Sequence, residues 1–327
     1  MQFLTLGLLA ASAALSTAAY NRYRGVGSHS KSWSWIKYFD NLVTFGDRLL
    51  YQSQWHGTSG RITTTGKHIY SRGGITWGRW VSNYTGAKLY SYAVSGAVCD
   101  NNIIYRYLSA IHGPLPDVVY EVDAFTDTKF VNATTKKNSL YTDRHEDNTV
   151  LNSDGTTIPD YIDCIFKRFD EIYKNGGRYF VLMNTAPLEL PPLYGVPGKG
   201  GLAASHYWQH KMKEYTYLVN SVSSYRTPYE LLIAKRYPGA SFAVFDVHSL
   251  ITGIYNNPSK YLASPANVTG QYYVCDVATG SKCTSSSLSL DHYLWYDELH
   301  PSEKTDQVIA KEFAKVVNGS STLATYW

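Results

Sequence analysis

Residues Asp160–Met183, DYIDCIFKRFDEIYKNGGRYFVLM, decide the fold class. Ile162, Ile165, Phe166, Phe169, Ile172 and Tyr173 recur at the three-to-four-residue spacing of one helix face, and Asp160 is placed to cap that helix. Asn175-Gly176-Gly177 ends it. Tyr179 to Met183 follows as an unbroken apolar run, the mark of a strand covered on both faces. Phe242 to Phe245, just before Asp246, repeats that pattern, and Leu42 to Phe45 reads as a short strand feeding a turn at Gly46-Asp47. A last helix is expected after Pro301, with Val308, Ile309, Phe313 and Val316 facing inward, because proline fits a first helical turn. Helix followed by buried strand predicts an α/β fold with a parallel sheet. No repeat, heptad or long linker interrupts the pattern, so residues 20–327 read as one domain.

Composition narrows the function classes. A chain of 327 residues can bury a full core. Its net charge of +4 comes without a Lys/Arg-rich tract, so neither a nucleic-acid footprint nor a polybasic membrane patch is present. The 29 Tyr and 8 Trp exceed what a core needs, and amphipathic rings suit contact with sugar faces. Trp55, Trp77, Trp80, Trp208 and Trp295 are the candidate stacking platforms, with core packing the competing role for each.

Met1 to Ala19 holds an apolar stretch from Phe3 to Leu15 followed by small residues, and reads as a secretory signal peptide. An extracellular protein is therefore expected. Asn83-Tyr84-Thr85, Asn132-Ala133-Thr134, Asn267-Val268-Thr269 and Asn318-Gly319-Ser320 are glycosylation acceptor patterns, which matter in a chain that passes through the secretory pathway. Four cysteines suit disulfides in an oxidising compartment. Cys275 and Cys283 flank a turn-rich stretch and make the first pairing, leaving Cys99 with Cys164; other connectivities stay open. Their spacing is not that of a zinc site, and no metal is expected.

Asp297 and His300, in Trp295-Tyr296-Asp297-Glu298-Leu299-His300-Pro301, are close enough for the carboxylate to orient the imidazole as a general base. Alone, such a pair is more often a helix-capping Asp beside a surface His. Further motifs give it context. Phe45-Gly46-Asp47 resembles the first conserved block of the GDSL or SGNH hydrolases, and Tyr92 to Cys99 resembles the second. Gly177 to Asn184 running into Ala186-Pro187-Leu188-Glu189-Leu190, and Tyr293 to Thr305, are similar to the secreted fungal branch that removes acetyl groups from xylo- and cello-oligosaccharides. The resemblance implies a three-layer α/β/α sandwich and a serine esterase acting on acetylated plant-wall saccharides without a cofactor. A monomer is expected, and the charge pattern gives no nucleic-acid or membrane partner. Asp297 matches the family's carboxylate, His300 its general base, and Gly96 a backbone donor of the oxyanion hole.

Two blocks depart from the pattern. Arg48 stands where the nucleophilic serine belongs, and a guanidinium stays protonated and only donates. Ser53 lies several residues on, where ordinary surface polarity explains it better than chemistry. The Gly-x-Asn-Asp block has no counterpart; Asn152, in Asn152-Ser153-Asp154-Gly155, reads as a turn residue and not as an oxyanion donor. With that block gone, the sheet is expected to lack one central strand. Either the protein has been released from chemistry, as a non-catalytic saccharide binder on the same fold, or displaced exon boundaries have altered one stretch and removed another.

Overall fold

The computed structural model describes residues 39–46, 70–71, 74–109, 113–127, 139–144, 155–195, 206–275 and 282–327. Six strands form the main sheet: β1 (Asn41–Gly46), β2 (Lys88–Ser91), β3 (Ser139–Arg144), β4 (Tyr179–Met183), β5 (Ser241–Phe245) and β6 (Ala324–Tyr326). Their order is β2-β1-β3-β4-β5-β6. The first five run parallel, and β6 closes the β5 edge antiparallel. Because β2 and β3 leave β1 on opposite sides, the connections diverge there. A crevice at the carboxyl end of β1 is the usual ligand position of such a sheet.

Alternation along the strands sends side chains to two separate cores. Leu42, Leu89, Val181, Met183, Ala243 and Phe245 pack beneath α1 (Trp77–Thr85), α5 (Val247–Asn256) and α6 (Glu303–Val317). Val43, Phe45, Tyr90, Phe180, Leu182 and Phe242 face α2 (Val118–Thr126), α3 (Ile158–Lys174) and α4 (His206–Pro228). The result is the expected α/β/α sandwich. In α6, Ile309, Phe313 and Val316 are fully buried, and Phe313 meets the Trp77 ring at 5.1 Å between centroids. Val308 is only partly buried, against the same core.

Two local expectations are corrected. The helix after Gly155 begins at Ile158, and its cap is Thr157: the Thr157 hydroxyl accepts from the Asp160 backbone N–H while the Asp160 carboxylate accepts from the Thr157 N–H. Asp160 is the second half of a capping box, three residues inside. The sheet also lacks no central strand. β3 fills the slot between β1 and β4, with Ser139 opposite Asn41, Arg144 opposite Gly46, and Leu140 opposite Tyr179. Ser-Leu-Tyr-Thr-Asp-Arg is too mixed to read as a buried strand, but two flanking parallel strands with open backbone groups supply partners for any extended segment between them.

Candidate active site

Backbone turns position the Asp297–His300 pair. After the strand Tyr293–Trp295, the chain folds back so that the Tyr296 N–H donates to the His300 carbonyl at 2.8 Å, and Trp295 bridges to Pro301. Ser302 then starts α6. Its hydroxyl accepts from the Thr305 N–H at 3.2 Å and donates to the Tyr293 carbonyl at 2.6 Å, so one side chain pins the helix start to the strand behind it. The Leu193 N–H donates to the Glu298 carbonyl at 2.7 Å, which joins this turn to the loop beyond β4.

Within the turn the imidazole is gripped by the carboxylate. Asp297 Oδ1 lies 2.8 Å from His300 Nδ1 and Oδ2 lies 2.9 Å from it. Oδ1 also accepts from the backbone N–H groups of His300 at 2.8 Å and Leu299 at 3.0 Å. Burial pushes the Asp297 carboxyl up, but the side-chain bond and charge of His300 and the two backbone donors outweigh it, and the group is held below its ordinary value. An ionised carboxylate only accepts, so Nδ1 is the donor to it, and in the neutral imidazole Nε2 is then the nitrogen that carries the lone pair. That is the tautomer a general base needs. The two side chains remain 22% and 23% exposed, so the pair opens to solvent and is not sealed in a core.

The loops after β1 and β2 meet beside each other. The Tyr92 N–H donates to the Thr44 carbonyl at 2.9 Å. Glu121, on α2 and fully buried, accepts from the Gly46 N–H at 2.6 Å and from the Val94 N–H at 2.9 Å. One carboxylate thus ties together the two backbones that lead to Arg48 and to Gly96. Sequence reasoning missed Glu121. The signal was an acid inside the otherwise apolar face Val118, Val122 and Phe125, since a buried carboxylate needs donors. Gly96 has a φ of +78°, and a Cβ there would lie 3.1 Å from an Arg106 guanidinium nitrogen and 3.2 Å from a Leu115 methyl. Left-handed geometry and crowding both require glycine.

Arg48, Ser53, Trp55, Asn132 and Asn152 lie outside the described residues. Among the described tryptophans, Trp77 and Trp295 are core residues, the Trp295 indole donating to the Val268 carbonyl at 2.8 Å, so neither is a sugar platform. Trp80 is half-buried, and Trp208 is 45% exposed. Asn83 and Asn318 are exposed; the Asn267 carboxamide is half-buried and accepts from the Thr269 and Gly270 N–H groups. Cys99 is bonded to Cys164 and Cys275 to Cys283. Among the described residues no cluster of ligands suits a metal ion, and no helix is long and apolar enough to cross a membrane.

A parallel sheet with a divergence at β1 and a carboxylate-held imidazole ahead of the last helix defines a hydrolase scaffold of the serine-esterase type. No family model matches the chain. It is 39% identical over 320 residues to an acetylesterase of Hypocrea jecorina, covering 88% of this chain and 92% of that protein. A GDSL esterase/lipase of Arabidopsis thaliana is 28% identical over 157 residues, covering 46% of this chain and 40% of the relative. Among solved structures, an acylhydrolase from Bacteroides fragilis aligns with 89% of this chain and 96% of its own at 10% identity and a TM-score of 0.39, too distant to carry an argument. The chain belongs to the GDSL/SGNH hydrolase family, on the branch that holds the Hypocrea jecorina acetylesterase.

Proposed function

We propose that this chain is a secreted carbohydrate-acetylesterase-type protein whose general base is assembled while Arg48 occupies the nucleophile position, so that it binds acetylated saccharides and turns them over at background rates. The observation that carries this reading is the Asp297–His300 geometry, in which both carboxylate oxygens hold Nδ1 of the imidazole. A hydroxyl in the Arg48 position would pass its proton to Nε2 as it attacked the acetyl carbon. His300 would return that proton to the departing sugar oxygen. Water would then release acetate by the same route, with the Gly96 loop beside the oxyanion. Arginine offers no nucleophile for the first step. No cofactor enters this scheme.

The same reading makes Met1–Ala19 a cleaved leader and residues 20–327 one extracellular, monomeric domain. Four acceptor patterns, Asn83, Asn132, Asn267 and Asn318, and two disulfides support it. Acetylated xylo- or cello-oligosaccharide is the partner proposed from the family branch, with neither nucleic acid nor membrane involved.

A restoration series tests the reading. The chain as it stands, and Arg48→Ser alone, should hydrolyse an acetyl-ester chromogen near background. Adding a Gly-x-Asn-Asp turn directly behind β3 to Arg48→Ser should raise the rate, since these parts act as a unit. His300→Ala should then remove most of the recovered activity and Asp297→Asn a smaller share. A restored enzyme indifferent to His300→Ala would return the pair to the status of a capped turn.

A further inference from the structure

Four tyrosines beside the Asp297–His300 turn belong to neither hydrophobic core. Tyr293 and Tyr296 are buried; Tyr272 and Tyr273 are half-buried and lean on them from a separate hairpin. The Tyr273 ring lies parallel to Tyr296, 5.5 Å between centroids and 8° between planes. Tyr272 stacks on Tyr296 at 6.1 Å and meets Tyr293 edge-on at 5.8 Å. The hairpin pairs Tyr273 with Ser285 and Val274 with Thr284, and the Cys275–Cys283 disulfide closes it.

Backbone bonds fix this hairpin to the catalytic-type turn itself. The Tyr272 N–H donates to the Trp295 carbonyl at 3.1 Å and the Tyr273 N–H to the Tyr296 carbonyl at 2.7 Å. Tyr296 in turn donates to the His300 carbonyl, and Asp297 is its next residue. The Tyr293 hydroxyl donates to Ser286 Oγ, which ties the inner ring to the open end of the hairpin, where the Ser286 N–H donates to the Tyr272 carbonyl at 2.9 Å. Thus Tyr273 is bonded through its backbone to the residue next to Asp297, in the turn that carries the proposed general base. The disulfide-closed hairpin holds Tyr272 and Tyr273 against the buried Tyr293 and Tyr296 while each outer residue keeps part of its surface open to solvent.

We propose that Tyr273, backed by Tyr296 and flanked by Tyr272, forms the subsite that holds the sugar ring bearing the acetyl group. This rests on the proposed function and specifies its substrate side. The ligand class is a β-linked pyranoside of xylo or gluco configuration, whose equatorial hydroxyls leave flat C–H faces. Such a face covers an aromatic ring, while phenol hydroxyls at the edge take up the sugar's polar rim. An ester of a simple alkyl alcohol has no such face and gains nothing from the platform.

Calorimetric titration of the full chain tests this. The probes are a partially acetylated xylo-oligosaccharide and, as the sugarless control, butyl acetate; the proteins are the unaltered chain, Tyr273→Phe, Tyr273→Leu and Tyr273→Ala. Oligosaccharide affinity should fall about tenfold in Tyr273→Leu and Tyr273→Ala, as loss of one aromatic contact implies, and stay within about threefold in Tyr273→Phe. The response to butyl acetate should be the same in all four. Tyr273→Leu preserves bulk without a flat face, so it decides the matter if Tyr273→Ala fails to fold. Oligosaccharide binding that is undiminished in folded Tyr273→Leu overturns the subsite and leaves the proposed function standing. Absence of oligosaccharide binding by the unaltered chain overturns both.

Discussion

At Asp297, one carboxylate oxygen accepts from an imidazole and two backbone amides. Its folded value is held below the ordinary carboxylate value, so its ionised form stabilises the turn. For a depressed carboxyl, that stabilisation is complete above the unfolded value of about pH 4 and is lost as pH falls through the lower folded value. The difference in unfolding free energy between the unaltered chain and Asp297→Asn should therefore be present at neutral pH and shrink as pH falls below about 4. Denaturant titrations at several pH values measure it; a difference independent of pH would show that the pair is not ionic. At this scale the sequence was partly legible. The Asp297–His300 contact was legible because it spans three residues, whereas the role expected of Gly96 came from the family resemblance and not from spacing. Glu121 was not, because its partners Gly46 and Val94 lie 75 and 27 residues away and only the fold brings them together.

Among the elements, α6 shows how a helix start can serve a site. Its Ser302 cap also bonds the Tyr293 carbonyl, so the hydroxyl both satisfies a free helix amide and sets the distance between strand and helix across the His300 turn. Ser302→Ala should cost about 2 kcal/mol, about one for the cap and about one for the lost hydroxyl bond, read as a lower unfolding midpoint in urea. No loss of stability would mean that Thr305, whose hydroxyl reaches the Leu294 carbonyl at 2.8 Å, suffices alone. Periodic elements such as α3 and β4 were plain from their apolar spacing. Strand β3 was hidden, because a strand flanked by two others takes its backbone partners from them and needs no signature of its own. The apparent loss of a whole strand with the Gly-x-Asn-Asp block thus contracts to loss of the block itself, whose place behind Arg144 lies outside the described residues.

Over the whole molecule, Cys99–Cys164 links the loop after β2 to helix α3 across a separation of 65 residues. It thereby anchors the loop that carries Gly96 to the layer beneath the sheet. Closing a loop of that length in the unfolded chain contributes on the order of 4 kcal/mol. The double variant Cys99→Ala, Cys164→Ala should lose stability of that order in denaturant, and a loss below about 1 kcal/mol would indicate that the native loop is already held by other contacts. The Cys275–Cys283 disulfide is a separate, local device that closes the hairpin bonded to the Asp297–His300 turn. Sandwich and layers agree with a GDSL/SGNH hydrolase, while Arg48 and the missing Gly-x-Asn-Asp block depart from the family's catalytic unit at two positions. The most direct test of that account is to incubate the full chain with a serine-directed phosphonate and record its intact mass. The account predicts an unchanged mass, because arginine stands at position 48 where the family's serine belongs; a stoichiometric adduct, at Ser53 or at any other serine, would contradict it.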